Sequence, residues 1–210
     1  NKLGNNKILI LELIAELQDP EISVKHLEGL LSKDPSLSFR LLKLINSAAF
    51  NQQNKVESLQ RAVMVAGLEQ IKTWVTMLSL GKLENKPMEL SKQSLQRAYF
   101  CQALSQSIPG IASDIAFTAG LFSNLDAYFD IPLLHLLDKI HLQKDIKTAL
   151  IKKSGKLGFI FTTVLFMEKG EWHKIRWPLW KKTGLEPSQI EWLYLESITE
   201  AEQLLGSSND

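Results

Sequence analysis

Metal-assisted hydrolysis needs imidazole and carboxylate ligands gathered at one point. The four histidines, His26, His135, His141 and His173, are where that chemistry has to be sought. None has a second histidine three or four residues away, so no helix face carries paired imidazoles. Asp126, His135 and His141 form the best noncanonical set, and it lacks an adjacent His-Asp pair. Cys101 is the single cysteine, set in an apolar stretch with no neighbouring histidine, so it reads as a buried thiol rather than a nucleophile. One cysteine excludes an internal disulfide framework and a multi-cysteine metal cluster, and it permits a reducing cytoplasm. GxGxxG, P-loop, nucleophile-elbow and HExxH patterns are absent. Gly155-Lys-Leu-Gly158 is only loosely similar to a phosphate loop and serves as a helix-starting turn without any ligand.

Binding patterns are more plentiful. Trp172, Trp177 and Trp180, interleaved with Lys174 and Arg176, could form a platform for a peptide or a nucleotide, or could pack a C-terminal core. Trp172 and Trp180 cannot face alike, because they lie just over two helical turns apart with Pro178 between them. The run Ile45-Asn46-Ser47-Ala-Ala-Phe50, followed by Gln52-Gln-Asn54, offers small residues for close approach and Phe50 as an anchor or a packed corner. Arg40, Asn46, Ser47, Phe50, Trp172, Arg176 and Trp177 are therefore the candidate contact residues. Lys144, Lys147, Lys152, Lys153 and Lys156 make a modest basic set diluted by Asp145, best read as a solvated face. With 24 basic and 23 acidic residues the net charge is +1, so no global field favours nucleic acid or an acidic membrane. No apolar run approaches the roughly 18 residues of a membrane span.

These residues sit on helices. The 45% hydrophobic and 22% charged composition over 210 residues suits a globular chain with a substantial core. Apolar residues recur at helical spacing almost throughout, which predicts an all-α fold. Ile8–Leu17 is a helix stopped before Asp19-Pro20. Ser23, Asp34-Pro35 and Ser58 read as caps of the next three. Glu69–Lys82 and Ser91–Ser107 follow across a polar break at 84–87. Ser113 or Asp114 then caps an apolar helix running to Tyr128, and Pro132 opens a short one to Lys139. Asp145–Lys153, the nearly all-apolar Leu157–Lys169, Glu171–Lys182 and Ser188–Leu205 complete the set. One helical domain over 1–206 is expected, with 84–87 as a candidate subdivision and 207–210 as a flexible tail. The chain opens on Asn1 rather than methionine, so an upstream domain is expected.

The sequence Asp34-Pro-Ser-Leu-Ser-Phe-Arg-Leu-Leu-Lys-Leu-Ile-Asn-Ser-Ala-Ala-Phe50, with Ser58-Leu, Ala62-Val and Gly67-Leu beyond it, resembles the HDOD family. These are regulatory domains of bacterial signalling proteins related to HD-domain phosphohydrolases. The resemblance is dense from Ile8 to Leu80 and thinner to Leu205. It is similar in particular to the subgroup that follows an EAL domain, the type that hydrolyses cyclic di-GMP. The resemblance places Ser123 and Asn124, within Ala119-Gly-Leu-Phe-Ser-Asn-Leu-Asp126, where active relatives carry the His-Asp pair. It places Arg97 near their upstream ligand histidine. Serine and asparagine are poor replacements for imidazole and carboxylate, and arginine offers donors only.

The resemblance thus implies a domain that is not an enzyme, holds no metal or cofactor, and regulates through protein contact with an upstream EAL-type domain or another signalling protein. A homodimer is open. Two alternatives stand beside it. One is a metal-dependent phosphohydrolase of HD type, built on Asp126, His135 and His141. The other is a sensor that binds a nucleotide without cleaving it, in a residual cleft of Arg97, Ser123, Asn124 and Asp126.

Overall fold

Three helix starts are set by side-chain oxygens that satisfy otherwise orphaned backbone donors. Ser23 accepts from the His26 N–H at 3.1 Å at the head of α2 (Val24–Ser32). Asp34 accepts from the Leu37 N–H at 3.0 Å at the head of α3 (Pro35–Ile45), and Ser58 from the Arg61 N–H at 3.2 Å at the head of α4 (Leu59–Ala66). All three are the caps the sequence predicts. The computed structural model describes residues 5–46, 56–83, 86–140 and 142–209. No strand occurs among the described residues, and the fold is all-α. Ser47, Phe50, Gln52–Asn54, Glu84 and His141 lie outside them.

The remaining helices are α1 (Asn5–Leu17), α5 (Leu68–Leu80), α6 (Met88–Ser105), α7 (Ser113–Phe122), α8 (Leu125–Phe129), α9 (Leu133–Leu137), α10 (Lys144–Lys152), α11 (Gly155–Glu168), α12 (Trp177–Lys182) and α13 (Pro187–Asn209). Two compact units result, one of residues 1–91, 127–141 and 203–210, the other of 92–126 and 142–202. They interleave along the sequence, so no single cut, at 84–87 or elsewhere, separates them.

In the first unit α5 is the central helix. Ile71, Trp74, Val75 and Leu78 are buried on it, and it packs against α1, α3 and α4. Each such side chain contributes roughly 1.5–3 kcal/mol of burial. Asn46 ends α3 by donating to the Leu42 carbonyl at 2.8 Å. Its amide also clamps Val56, donating to its carbonyl and accepting from its N–H, both at 2.7 Å. This sequence-predicted contact residue therefore spends its side chain inside the fold. Burial works to raise the Asp34 carboxyl, but Lys82 and the Leu37 and Ser36 N–H groups outweigh it and hold it below its ordinary value. Asp130 adopts a positive φ of 57° and pairs with Lys7 at 2.6 Å and Lys86 at 2.7 Å.

In the second unit the apolar α11 is central, as its composition predicts, packing on α7 and α10 with Leu157, Ile160, Phe161 and Val164 buried. Gly120 permits close approach of α7 to α6. A Cβ there would lie 2.4 Å from the Arg97 carbonyl oxygen and 2.5 Å from the Ala98 backbone. Cys101 is buried, and burial pushes its thiol up to about 12 against the pull of Arg97, so it is inert at neutral pH.

Three expectations are corrected. The helix expected from Ser113 to Tyr128 is two helices, and its start at Ala112 has no side-chain cap from Ser113 or Asp114. Glu171–Lys182 is a 3-10 turn at Trp172–Lys174 followed by α12, because Pro178 supplies no N–H and suits only a first turn. The last helix continues past Leu205 through Asn209.

Two outcomes test this description. Gly120→Ala is expected to lower stability by about 1–3 kcal/mol, because the methyl must displace backbone rather than a mobile side chain, read as a lower urea midpoint. The Asp130 carboxyl is lowered to about 2 by hydrogen bonds from Lys7 and Lys86. Its folded value lies below an unfolded value of about 4, so its stabilisation is present above pH ~4 and disappears as pH falls toward ~2. Asp130→Asn keeps the left-handed backbone and should flatten that part of the stability–pH curve, most visibly at low salt because the pair is exposed.

Candidate functional site: a closed charged cluster

The junction between α7 and α8 falls on Ser123 and Asn124, both buried. Ser123 finishes α7 by donating its hydroxyl back to the Gly120 carbonyl at 2.7 Å. Asn124 follows directly and opens α8. The close α6–α7 approach at Gly120 brings this junction beside Arg97 of α6.

Arg97 organises the site. Its Nη1 donates to Asn124 Oδ1 at 2.6 Å and to Ser123 Oγ at 3.1 Å. Its Nε and Nη2 fork onto the Glu168 carboxylate at 2.8 and 3.1 Å. The Gln93 amide donates to Glu168, and its oxygen accepts from Asn124 Nδ2 at 3.1 Å. Asn124 Nδ2 also donates to Ser94 Oγ at 3.2 Å. Arg97, Glu168, Gln93 and Asn124 therefore close a ring, and each amide uses its oxygen as acceptor and its nitrogen as donor. The pair is largely withdrawn from water, with side-chain exposures of 13% for Arg97 and 19% for Glu168. A bidentate guanidinium–carboxylate fork in such a place is strong and directional.

The structure thus brings together three of the four sequence-predicted cleft residues, Arg97, Ser123 and Asn124. Asp126, the fourth, is exposed on α8 and makes no bond to the ring. His135 is exposed too, and His141 lies outside the described residues. Among the contact candidates, Trp172 and Arg176 are exposed and Trp177 and Arg40 are half-buried. Trp177 donates its indole N–H to the Trp172 carbonyl at 3.1 Å, and Arg176 lies 4.7 Å from the Phe159 ring centre. Trp180 is fully buried, stacked on Phe159 and bonded to Thr163.

Glu168 is the residue the sequence reading missed. It is the single acidic residue of Gly155–Glu168, at the end of an otherwise apolar helix. A buried arginine demands a counter-charge, and that isolation was the signal available.

The cluster does not fit a divalent cation. Its centre is a guanidinium, which repels cations and offers no lone pair, and its one carboxylate is already spent on that guanidinium. Among the described residues no three histidine, cysteine, aspartate or glutamate side chains gather as a metal set. Four of the five guanidinium N–H bonds point at protein acceptors, so little remains for a phosphate group.

The fold and cluster define an all-α helical domain whose buried polar cluster is closed by an ion pair. The chain belongs to the HDOD family, whose domain model matches residues 6–132. It is 29% identical over 170 residues to the cyclic di-GMP phosphodiesterase CdgJ of Vibrio cholerae, covering 80% of this chain and 39% of that protein. It is 27% identical over 165 residues to the uncharacterized protein YuxH of Bacillus subtilis, covering 77% of this chain and 40% of that protein. The chain therefore spans about two fifths of the length of these curated relatives. The fold matches an HDOD domain protein of unknown function from Geobacter sulfurreducens (TM-score 0.59, 16% identity, 84% of this chain and 74% of that one). It also matches a candidate phosphohydrolase from Shewanella amazonensis (TM-score 0.61, 17% identity, 99% and 91%). At these identities the structural matches speak for the fold alone. No helix among the described residues is long and apolar enough to cross a membrane.

Arg97→Met is expected to cost about 3 kcal/mol by leaving the largely buried Glu168 carboxylate without its counter-charge, with only Gln93 still donating to it. Arg97→Met with Glu168→Leu should recover much of that loss. A double-mutant cycle on urea midpoints measures the coupling, and additive losses would show the pair to be uncoupled.

Proposed function

We propose that this chain is a regulatory HDOD domain that works by protein contact and not by hydrolysis. One observation carries the reading: the Arg97 guanidinium sits beside Ser123 and Asn124, locked by Glu168, where the resemblance to HD hydrolases places metal ligands. A hydrolytic site must present a polarising cation or an activated nucleophile to its substrate. This cluster presents a neutralised ion pair. The match to the Vibrio cholerae phosphodiesterase covers 39% of that protein, so its named activity has most of its chain in which to reside.

On this reading the partner is an EAL-type domain of the same polypeptide or another signalling protein, in the cytoplasm, within cyclic di-GMP signalling. The domain influences its neighbour by making different contacts with two of its states, since a partner can shift an equilibrium only by its differential affinity for those states. Arg40, Trp172, Arg176 and Trp177 are the contact candidates that retain exposed surface.

Two measurements bear on this. After incubation with manganese, iron or zinc and desalting, the purified chain should retain no stoichiometric metal and release no product from phosphodiester substrates. Retained metal together with turnover that Glu168→Gln abolishes would sink the reading. In the full-length protein, removing residues 6–206 should change activity, assembly or partner set, and an unchanged protein on all three counts would equally overturn it.

A further inference from the structure

The helix α13 carries apolar side chains on opposite faces. Ile190, Ala201 and Leu204, together with Ser197, are buried at helical spacing and form its inner stripe. At 100° per residue Trp192, Leu195 and Thr199 project from the opposite side. Trp192 is 59% exposed and Leu195 60%. Glu191 and Glu196 flank this outer stripe on either side, and both are exposed. A solvated face has no use for a tryptophan and a leucine on its crest.

The segment before it is the electrostatic counterpart. Residues 169–182 carry five basic side chains and one acid, whereas residues 183–209 carry five acids and no lysine or arginine. The basic segment also exposes apolar side chains, Trp172 at 52% and Leu179 at 39%. Some of this charge is spent internally: Lys174 pairs with Glu171, Lys181 with Glu186, and Lys92 with Glu202. Among the described residues Lys169, Arg176 and Lys182 on one side, and Glu191 and Glu196 on the other, have no ion-pair partner.

We propose that two copies of this chain pair through these two segments, the Trp192–Leu195 stripe of each copy docking on the Trp172–Leu179 segment of the other, acidic rim against basic rim. Charge complementarity selects the occupant. A partner covering both segments must itself present an acidic and a basic region, each with an apolar centre, and a second copy of this chain is such a partner. A two-fold axis brings each segment against its complement twice and closes the assembly, as isologous pairing requires. Exposed aromatic and arginine side chains supply the anchors, and the charged rims set register and orientation. This pairing does not depend on the regulatory reading of the charged cluster.

Sedimentation velocity across a wide range of protein concentration tests it, using two variants of exposed residues. Glu191→Lys with Glu196→Lys replaces the unpaired acids of the outer stripe by bases; Lys169→Glu with Lys182→Glu replaces two of the three unpaired bases of the other segment by acids. The chain is expected to dimerise, more weakly at high salt. Each variant should dimerise roughly tenfold or more weakly while its circular dichroism is unchanged, because like charges then face each other. Mixing the two variants should restore the dimer, since each segment again meets its opposite. A wild-type chain that stays monomeric, a dimer indifferent to both reversals, or a mixture that fails to re-pair would each overturn the proposal.

Discussion

A guanidinium withdrawn from water inside a helical domain has to be answered by acceptors on several sides at once, and around Arg97 that requirement decides where three elements meet. Helix α6 supplies the cation, the α7–α8 junction supplies Ser123 and Asn124, and the end of α11 supplies Glu168. Burying a charge is tolerable only when it is paired and its hydrogen bonds are satisfied. Each element is therefore held at the distance and rotation that the planar fork dictates. Gly120 is the steric condition for this arrangement, because any side chain there would drive α7 away from the Arg97–Ala98 backbone.

The same arrangement determines what the site can do. A ring in which Arg97, Glu168, Gln93 and Asn124 each use their hydrogen-bonding capacity on one another resists insertion of a substrate, because entry would break several charge-assisted bonds together. A catalytic cleft keeps its reactive groups short of partners until substrate arrives. Here the polar side chains are already partnered, and the nearby Cys101 thiol is held protonated by burial. The cluster ties α6, the α7–α8 junction and the end of α11 together.

The sequence disclosed most of the scaffold because local rules govern it. Ser23, Asp34 and Ser58 cap the helices they were read to cap, and the period of Ile71, Val75 and Leu78 reports a buried face correctly. Arg97, Ser123 and Asn124 could be grouped only through family resemblance, since nothing in a spacing of 26 residues brings them together. The errors share one cause, which is tertiary contact overriding a local pattern. The run from Ser113 to Tyr128 is apolar enough for one helix, yet Ser123 and Asn124 turn away to meet Arg97. Asp126 is grouped with the cleft by its place in the sequence, but the break after Phe122 resets the helical phase and leaves it exposed. Glu168 escaped notice because its partner is 71 residues away in the chain.

Polar groups are distributed differently at the surface. That surface is uneven. The Lys7–Asp130–Lys86 bridge and the Lys82–Asp34 pair neutralise charge locally, and Asn46 is tied to Val56 rather than presented outward. Between Lys169 and Glu202, by contrast, charge is segregated by sign along consecutive helices and tryptophans stand in solvent. Natural sequences do not hold such surface free of consequence, since exposed apolar stripes with unspent charge at their rims favour association. The C-terminal helices, with exposed apolar side chains and unpaired charge side by side, are therefore the part of this domain with interaction energy still to give.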